Sequence, residues 1–265
     1  MSIVGAQAEA EAEAEAVVIA VDTGGTFTDV VGWIGGRLRV LKVPSTPDDP
    51  AAAVLAGVRE ILASVPPLPE PQPQSGFTLV HGSTVATNTL LERTGARVAL
   101  VTNRGFEDVI EIGRQDRPQL YALVGTRSPP LVERADRHGI AGRLGPRGEE
   151  IAPLDAAELA ELPARLAGAD AIAVCLLHAY ADPAHEERVA SALAALDVPL
   201  SISSLLLPEY REYERTATTV VNAYVAPRVA RYLGRIEAEA GAARVRIMGS
   251  AGGALPIARA RREPV

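Results

Sequence analysis

The sequence VVIAVDTGGTFTDVV, which occupies residues 17–31, decides the fold of the chain. It begins with small and β-branched apolar residues, which are typical of a strand buried on both faces, and it turns at Gly24 and Gly25. Beyond the turn, apolar and hydroxyl residues alternate, as they do in a half-buried strand. The stretch therefore predicts a β-hairpin with a diglycine turn.

Carboxylate and hydroxyl side chains crowd around this turn. Free backbone N–H groups in a glycine turn can contact a phosphate, and a carboxylate can hold the metal ion of that phosphate. The alternative is an ordinary hairpin whose hydroxyls are satisfied locally, because diglycine turns are common. The local chemistry leaves both interpretations open. The polar residues concerned are Asp22, Thr23, Thr26, Thr28 and Asp29.

Composition limits the classes of protein to consider. With 265 residues and 48% hydrophobic content, the chain can bury a substantial core in one large domain or two smaller ones. The formal net charge is −7, and four of these negative charges come from the glutamates of an EAEAEAEA tract at residues 9–16. The rest of the chain is only weakly acidic and offers no basic face, so we expect no nucleic-acid partner.

Targeting signals and cysteine usage favour the cytoplasm. The first 16 residues contain neither Lys nor Arg and no apolar segment, so they predict a disordered or helical extension, not a secretory signal. The longest apolar run, residues 171–177, is too short to span a bilayer, and we expect no membrane partner. A single cysteine, Cys175, excludes an internal disulfide framework and is expected to be a small buried apolar residue.

The region after the hairpin predicts a meander and a helix. Residues 37–43 predict a third strand, which makes the opening an antiparallel meander. Asp49 and Pro50 predict the start of a helix, and apolar residues continue at helical spacing to residue 62. Five prolines within residues 66–75 predict an extended surface connection.

A strand, a polar turn and a helix follow. Residues 77–80 predict a short buried strand, and residues 85–93 predict a helix that ends with Gly95 as its C-cap. Such a junction places polar side chains where a ligand can meet free N–H groups. An isolated histidine in this position is also compatible with a hydrogen-bonded loop residue. The polar side chains are His81, Ser83, Thr84 and Asn88.

The second half of the chain is more regular than the middle. Residues 103–148 predict a long irregular segment, in which Arg114, Asp116 and Arg117 form either an anion clamp or solvated charge. After a strand predicted at residues 97–102, residues 155–203 complete a β-α-β-α-β alternation with parallel strands. Residues 209–240 predict the longest helical region, which Pro227 divides or kinks.

Four segments together resemble a known family. They are VDTGGTFTDVV, HGSTVATNTLLERTGARVALVTNRGFEDVIEIGRQ, PEYREYERTATTVVNAYVAPRVARYL and MGSAGG. In order and length they resemble the hydantoinase A / 5-oxoprolinase family of ATP-dependent cyclic-amide hydrolases, whose relatives include acetone carboxylase subunits. The resemblance implies an α/β fold, namely the ribonuclease H-like first lobe of an actin/sugar kinase/Hsp70-type ATPase, with a mixed sheet and flanking helices.

The resemblance also implies a site for ATP and Mg²⁺. Asp22 would be catalytic and would organise Mg²⁺ through water. The sequence contains no P-loop motif, which would be the other explanation for phosphate binding. The phosphate contacts would come from Gly24, Gly25 and Thr26, supported by Thr28 and Asp29. His81 and Thr84 would act at the substrate with Asn88, and Arg114, Arg211 and Arg215 would hold its carboxylate or the transferred phosphate.

The same resemblance implies partners and a domain division. We expect an extension at residues 1–16, a hydantoinase/oxoprolinase N-terminal domain at residues 17–203, and a helical connection with the start of a second domain at residues 204–265. The SGPAAG-like phosphate loop of the family is absent from this chain, so we expect half an ATP site that is inactive alone. A second lobe or a hydantoinase B-type subunit would complete it.

The expected substrate is a small cyclic amide, activated by phosphorylation of its carbonyl oxygen and then opened by water. Two alternatives stay open. The first is a subunit of an ATP-dependent ketone carboxylase, and the second is a truncated remnant or binding module without turnover.

Overall fold

The computed structural model describes residues 17–64, 76–116, 119–121, 123, 125, 128–250 and 252–265. The expectations for residues 1–16, residues 66–75 and Arg117 lie outside this set. The chain forms two compact units. The first unit contains the described residues up to Leu91 together with Arg228–Pro264, and the second contains Glu92–Pro227 together with Val265. The division of the sequence at residue 203 stays a prediction.

The first unit is built on a six-stranded mixed sheet with the order β12-β11-β4-β1-β2-β3. The expected antiparallel meander is confirmed, because β1 pairs with β2 and β2 with β3. Strand β4 lies parallel to β1 on its other side, and β11 lies parallel to β4. The strands are β1 (Val18–Thr23), β2 (Phe27–Ile34), β3 (Arg37–Pro44), β4 (Thr78–Ser83), β11 (Arg244–Met248) and β12 (Ala254–Pro256).

Helices cover one face of this sheet. Helix α1 lies so close to β2 that a Cβ atom added to Gly57 would be 2.6 Å from a methyl group of Val30. Apolar residues of α1 at helical spacing, including Val54 and Ile61, are buried against that face. The helices of this unit are α1 (Pro50–Ala63), α2 (Val85–Leu91), residues 228–239 of α7 (Glu212–Glu239) and α8 (Ile257–Arg262).

The second unit contains a four-stranded parallel sheet with the order β10-β9-β5-β6. Its strands are β5 (Val98–Asn103), β6 (Arg137–Ile140), β9 (Ala171–Val174) and β10 (Leu200–Ile202), and a small hairpin joins β7 (Arg143–Leu144) to β8 (Glu150–Ala152). Its helices are α3 (Val109–Ile112), α4 (Ala156–Arg165), α5 (Ala184–Leu193), α6 (Ser203–Leu206) and residues 212–227 of α7. Aliphatic side chains from these strands, α4 and α5 form one core, so the expected parallel alternation is confirmed.

Two expectations about local structure need correction. Helix α2 ends at Leu91, and the left-handed residue beyond it is Arg93 (φ 54°), whereas Gly95 lies against the ring of Tyr224. The region 103–148 is not uniformly irregular, because it contains β6 and β7. Helix α7 runs through Pro227 as one element, and it has buried residues on both sides of the proline.

None of the helices among the described residues is long and apolar enough to cross a membrane. Cys175 is buried, as expected, and burial raises the pKa of its thiol.

Candidate functional site

The turn between β1 and β2 presents backbone N–H groups to solvent. The N–H of Gly24 donates to the carbonyl oxygen of Phe27 at 3.0 Å, which closes the turn. The next two residues, Gly25 and Thr26, are exposed, and their N–H groups have no hydrogen-bond partner among the described residues. Two adjacent free donors in a glycine turn suit an anionic oxygen.

Ser45, which directly follows β3, fixes the shape of this turn. Its Oγ donates to the carbonyl oxygen of Gly24 at 2.8 Å, and its N–H donates to the carbonyl oxygen of Thr26 at 2.9 Å. Because that hydroxyl proton is already used, the buried Thr28 Oγ1 donates to Ser45 Oγ over 3.0 Å. Thr28 therefore supports the turn from inside the sheet.

Asp22 projects from the end of β1, opposite Asp29 of β2 and beside Gly82 of β4. Directly opposed residues lie on the same face of a sheet, so the two carboxylates are neighbours. Asp29 is neutralised by Lys42, whose Nζ lies 3.2 Å from its Oδ1. Asp22 is exposed and forms no ion pair among the described residues.

Gly82 leaves room for that carboxylate. A Cβ atom at residue 82 would lie 3.0 Å from Asp22 Oδ1, which is closer than an ordinary contact. The glycine therefore allows the carboxylate to lie over the backbone of β4.

His81 lies beneath the site and is fully buried. Its Nδ1 lies 3.0 Å from the carbonyl oxygen of Val21, which can only accept, so Nδ1 carries the proton. The hydroxyl of Tyr232 on α7 donates its proton to Nε2 of His81, at a distance of 2.5 Å. Burial lowers the pKa of His81 to about 4 and raises the pKa of Tyr232 to about 12, so both groups are neutral near pH 7.

This arrangement makes His81 a link between β1, β4 and α7, because both ring nitrogens are occupied. Its proposed contact with substrate stays a prediction, and the geometry favours a role in positioning the strand that carries Asp22.

Thr84 and Asn88 extend the site along α2. The exposed hydroxyl of Thr84 donates to the carbonyl oxygen of Thr23 at 3.3 Å, beside the hairpin turn. Asn88 lies one helical turn further, with its Nδ2 3.5 Å from Thr84 Oγ1. The structure thus brings together the hairpin residues, His81, Thr84 and Asn88 within the first unit.

The three arginines belong to the second unit. Arg114 Nε donates to Glu214 at 2.9 Å, and the guanidinium lies over the ring of Tyr213. This contact holds the pKa of the Glu214 carboxyl below its ordinary value. Arg114 lines a cleft of about 780 Å³ whose described walls include Pro130 and Val221.

Arg215 is buried, with only 1% of its surface exposed. Its Nη2 donates to the carbonyl oxygen of Leu176 at 2.7 Å, while Nε and Nη1 have no hydrogen-bond partner among the described residues. The ring of Tyr180 lies 5.5 Å from the guanidinium carbon. Arg211 is exposed, with a left-handed backbone (φ 83°), and lies over Tyr210.

The sequence did not single out Ser45, Gly82 or Tyr232. Ser45 follows the third strand directly and Gly82 follows His81, so each stands next to a predicted element. Tyr232 lies 151 residues from His81, and no local pattern connects them.

The donor set beside the turn fits Mg²⁺ held mainly through water. Among the described residues there is no group of three or more potential metal-ligating side chains. Magnesium bound with a nucleotide typically takes only one or two carboxylates, with phosphates and water as its other ligands. The exposed Asp22 carboxylate beside free N–H groups meets that requirement.

Fold and site define the class. A three-stranded antiparallel meander continued by two parallel strands, with a glycine turn beside a carboxylate at the end of β1, is the ribonuclease H-like lobe of the actin, sugar kinase and Hsp70 ATPases. The mixed sheet and flanking helices expected from the sequence are confirmed.

Comparison with known proteins identifies the family. Residues 18–196 match the hydantoinase/oxoprolinase N-terminal region, and residues 215–265 match a second hydantoinase/oxoprolinase region. The chain belongs to the hydantoinase/oxoprolinase family.

Relatives and solved structures agree with this assignment. Caprolactamase subunit alpha from Pseudomonas jessenii is 36% identical over 227 residues, which are 83% of this chain and 33% of that subunit. The crystal structure of ATP-dependent caprolactamase from that organism has a TM-score of 0.78 at 35% identity, and the match covers 91% of this chain and 36% of that one. A nucleotide-free structure of acetone carboxylase has a TM-score of 0.79 at 28% identity, with coverages of 93% and 38%. The match covers about a fifth to a third of the length of the curated relatives.

Proposed function

We propose that this chain supplies the phosphate-binding lobe of an ATP-dependent cyclic-amide hydrolase. The observation that carries the proposal is the turn at residues 24–26, where the free N–H groups of Gly25 and Thr26 lie beside the unpaired carboxylate of Asp22. Membership of the hydantoinase/oxoprolinase family and similarity to an ATP-dependent caprolactamase support it.

In this proposal the lobe binds the phosphates of ATP and positions Mg²⁺. The N–H groups of the turn donate to phosphate oxygens, and Asp22 holds waters of the metal ion. Magnesium would neutralise charge on the phosphates during transfer. Ser45 and Thr28 keep the turn in shape, and His81 holds β1 in place.

The chemistry begins at the carbonyl oxygen of the cyclic amide. That oxygen attacks the γ-phosphorus of ATP, and the bond from phosphorus to the β–γ bridging oxygen breaks, which releases ADP. The carbonyl carbon then bears a phosphate leaving group and is open to attack by water. Addition of water gives a tetrahedral carbon that bears both hydroxyl and phosphate, and cleavage of the ring C–N bond releases the amine and leaves an acyl phosphate. A second water then hydrolyses the acyl phosphate to a carboxylate and inorganic phosphate. Most of the rate enhancement would come from positioning and charge stabilisation.

The remainder of the family polypeptide, as a second lobe or partner subunit, would complete the site. Thr84 and Asn88 are proposed to face the substrate.

Substitution of Asp22 tests the proposal. With the remainder of the family polypeptide supplied, ATP hydrolysis should require a lactam, and Asp22→Asn should reduce it by about a hundredfold or more, as loss of a charge-stabilising group commonly does. Asp48→Asn removes an exposed carboxylate outside the turn and should leave the rate unchanged. Equal rates of ATP hydrolysis for Asp22→Asn and the unchanged chain would show that Asp22 has no role in the mechanism.

A ketone carboxylase is the second candidate, because the chain shares its fold with acetone carboxylase over 93% of its length. The same ATP site would then activate bicarbonate or an enol by phosphorylation. ATP use that requires both bicarbonate and a ketone, and is indifferent to lactams, would select this function over the first.

A further inference from the structure

A cleft of about 780 Å³ lies entirely within the second unit. Its described lining comes from α3 and the residues that follow it, from residues 128–131, and from α7. Small-molecule sites are typically clefts of about 300–1,000 Å³, so this cleft has the size to hold a small ligand.

Apolar side chains form much of its wall. Helix α7 contributes Tyr213, Ala217 and Val221, which are four residues apart and therefore share one face of the helix. Ile110 and Leu131 add aliphatic surface from the other segments. All five side chains are only partly buried, so a ligand with an apolar body would remove apolar surface from water.

The charged side chains of the cleft already have partners. Arg114 Nε donates to Glu214 at 2.9 Å, and this hydrogen bond, together with the nearby charge of Asp116, raises the pKa of the guanidinium. Glu111 accepts a hydrogen bond from Arg137 at 2.7 Å. The charged groups of the described lining are thus two carboxylates and one guanidinium that is already shared.

This balance favours an uncharged ligand. A ligand carboxylate would lose its water and meet an excess of negative charge, whereas a ligand ammonium would find carboxylates that already have cationic neighbours.

Two hydroxyl groups on the cleft are available to such a ligand. Ser128 and Tyr213 line the cleft, and neither hydroxyl forms a hydrogen bond with any residue that the structure describes. A hydroxyl both donates and accepts. The N–H and C=O groups of one amide need just such a pair of partners.

We infer that this cleft binds uncharged cyclic amides and discriminates against those that carry a carboxylate. The methylene groups of the ring would lie on the apolar walls, and its amide would exchange hydrogen bonds with the hydroxyls of Ser128 and Tyr213. The inference rests on the proposed function, which supplies the cyclic-amide class, and it adds the charge and polarity of the substrate.

Four lactams test this inference on the isolated chain, with dissociation constants measured by saturation-transfer NMR. 5-Oxoproline and 5-oxoprolinamide share one ring and differ in charge, and the amide should bind at least about tenfold more tightly. 2-Pyrrolidinone and the unsubstituted seven-membered lactam differ by two methylene groups. The larger ring should bind about tenfold more tightly, because each buried methylene group contributes about fourfold.

Two pairs of variants locate the binding. Ala217→Phe fills the wall and should weaken binding of the seven-membered lactam at least about tenfold, whereas Ala160→Phe, at an exposed alanine of α4, should not change it. Glu214→Gln removes the partner of Arg114 and should abolish the preference for 5-oxoprolinamide over 5-oxoproline. Glu161→Gln, at an exposed carboxylate of α4, should retain that preference. Thermal melts check that each variant is folded.

Three results would overturn the inference. They are equal affinity of the unchanged chain for 5-oxoproline and its amide, no saturable binding of the uncharged lactams, and unweakened binding by folded Ala217→Phe. The titrations contain no ATP and are therefore independent of the proposed function. Lactam binding without lactam-dependent ATP hydrolysis by the complemented enzyme would reject the proposed function alone, and the reverse result would reject this inference alone.

Discussion

At the scale of single residues, substitution of Gly25 tests ligand binding without a large effect on folding. A Cβ atom added there would meet nothing within 4 Å, and its backbone is not left-handed, so Gly25→Ala should change the free energy of unfolding by less than about 0.5 kcal/mol. If a phosphate approaches this turn closely, the added methyl group should weaken MgATP binding about tenfold, which corresponds to about 1.4 kcal/mol.

Gly24→Ala is the comparison for that experiment. Its Cβ would lie 3.2 Å from the carbonyl oxygen of Phe27, so it should lower the melting temperature as well. Thermal melts and MgATP titrations of the complemented enzyme distinguish the two variants. Unchanged nucleotide affinity in Gly25→Ala would argue against close phosphate contact.

His81 makes stability depend on pH. Its pKa is 6.5 when unfolded and about 4 when folded, so the unfolded chain binds the proton more readily between these values. The contribution of the neutral histidine to the free energy of unfolding is fully present above pH 6.5. It is lost as the pH falls to about 4, where the loss reaches about 3 kcal/mol.

Urea unfolding at pH 7 and pH 4.5 measures this effect. His81→Gln keeps one donor and one acceptor but does not titrate, so the difference between the two pH values should be smaller in the variant. The same difference in both proteins would show that His81 is not buried in its neutral form.

At the scale of elements, the contact between α1 and the sheet depends on a helical glycine. Gly57→Ala gains about 1 kcal/mol of helix propensity, but its Cβ would lie 2.6 Å from the stiff side chain of Val30. Overpacking typically costs about 1–3 kcal/mol, so the net effect should be destabilising by about 1 kcal/mol.

Gly234→Ala in α7 is the matched control, because its new Cβ would meet only the flexible guanidinium of Arg261 at 3.4 Å. It should stabilise the chain or leave it unchanged in urea unfolding. Stabilisation by both substitutions would show that α1 can shift away from β2 without cost.

The sequence predicted those elements whose hydrophobic period is clear. The β1–β2 hairpin and α1 were found because apolar side chains recur at strand or helix spacing. Strand β6 was missed because it begins with a buried arginine. Arg137 can be buried there because its guanidinium pairs with the carboxylates of Asp108 and Glu111, which lie 29 and 26 residues earlier in the chain.

Helix α7 is not divided at Pro227, so of the two predicted alternatives only the single helix agrees with the structure. A proline inside a helix removes one hydrogen bond and costs about 3 kcal/mol. Buried side chains on both sides of it, including Val225, Val229 and Leu233, offset that cost, and such packing is not visible in local sequence. The candidate site was likewise predicted only in part. The turn could be recognised in the sequence, whereas the contacts of Ser45 and Tyr232 could be identified only from the folded structure.

At the scale of the whole molecule, the chain carries one side of the proposed nucleotide site. If a complete, closed site binds MgATP with a Kd near 1 μM, about −8 kcal/mol, half of that free energy corresponds to a Kd on the order of 1 mM. We therefore expect the isolated chain to bind MgATP in the millimolar range and to show no lactam-dependent hydrolysis, because closure over the nucleotide is missing.

Calorimetric titration of the isolated chain with MgATP measures this, and the same titration after addition of the rest of the family polypeptide provides the comparison. Complementation should tighten binding by about two to three orders of magnitude, and Gly25→Ala should weaken it in the complemented form. Micromolar binding by the isolated chain would contradict the division of the site, since the turn at residues 24–26 and its neighbours would then suffice without a second lobe.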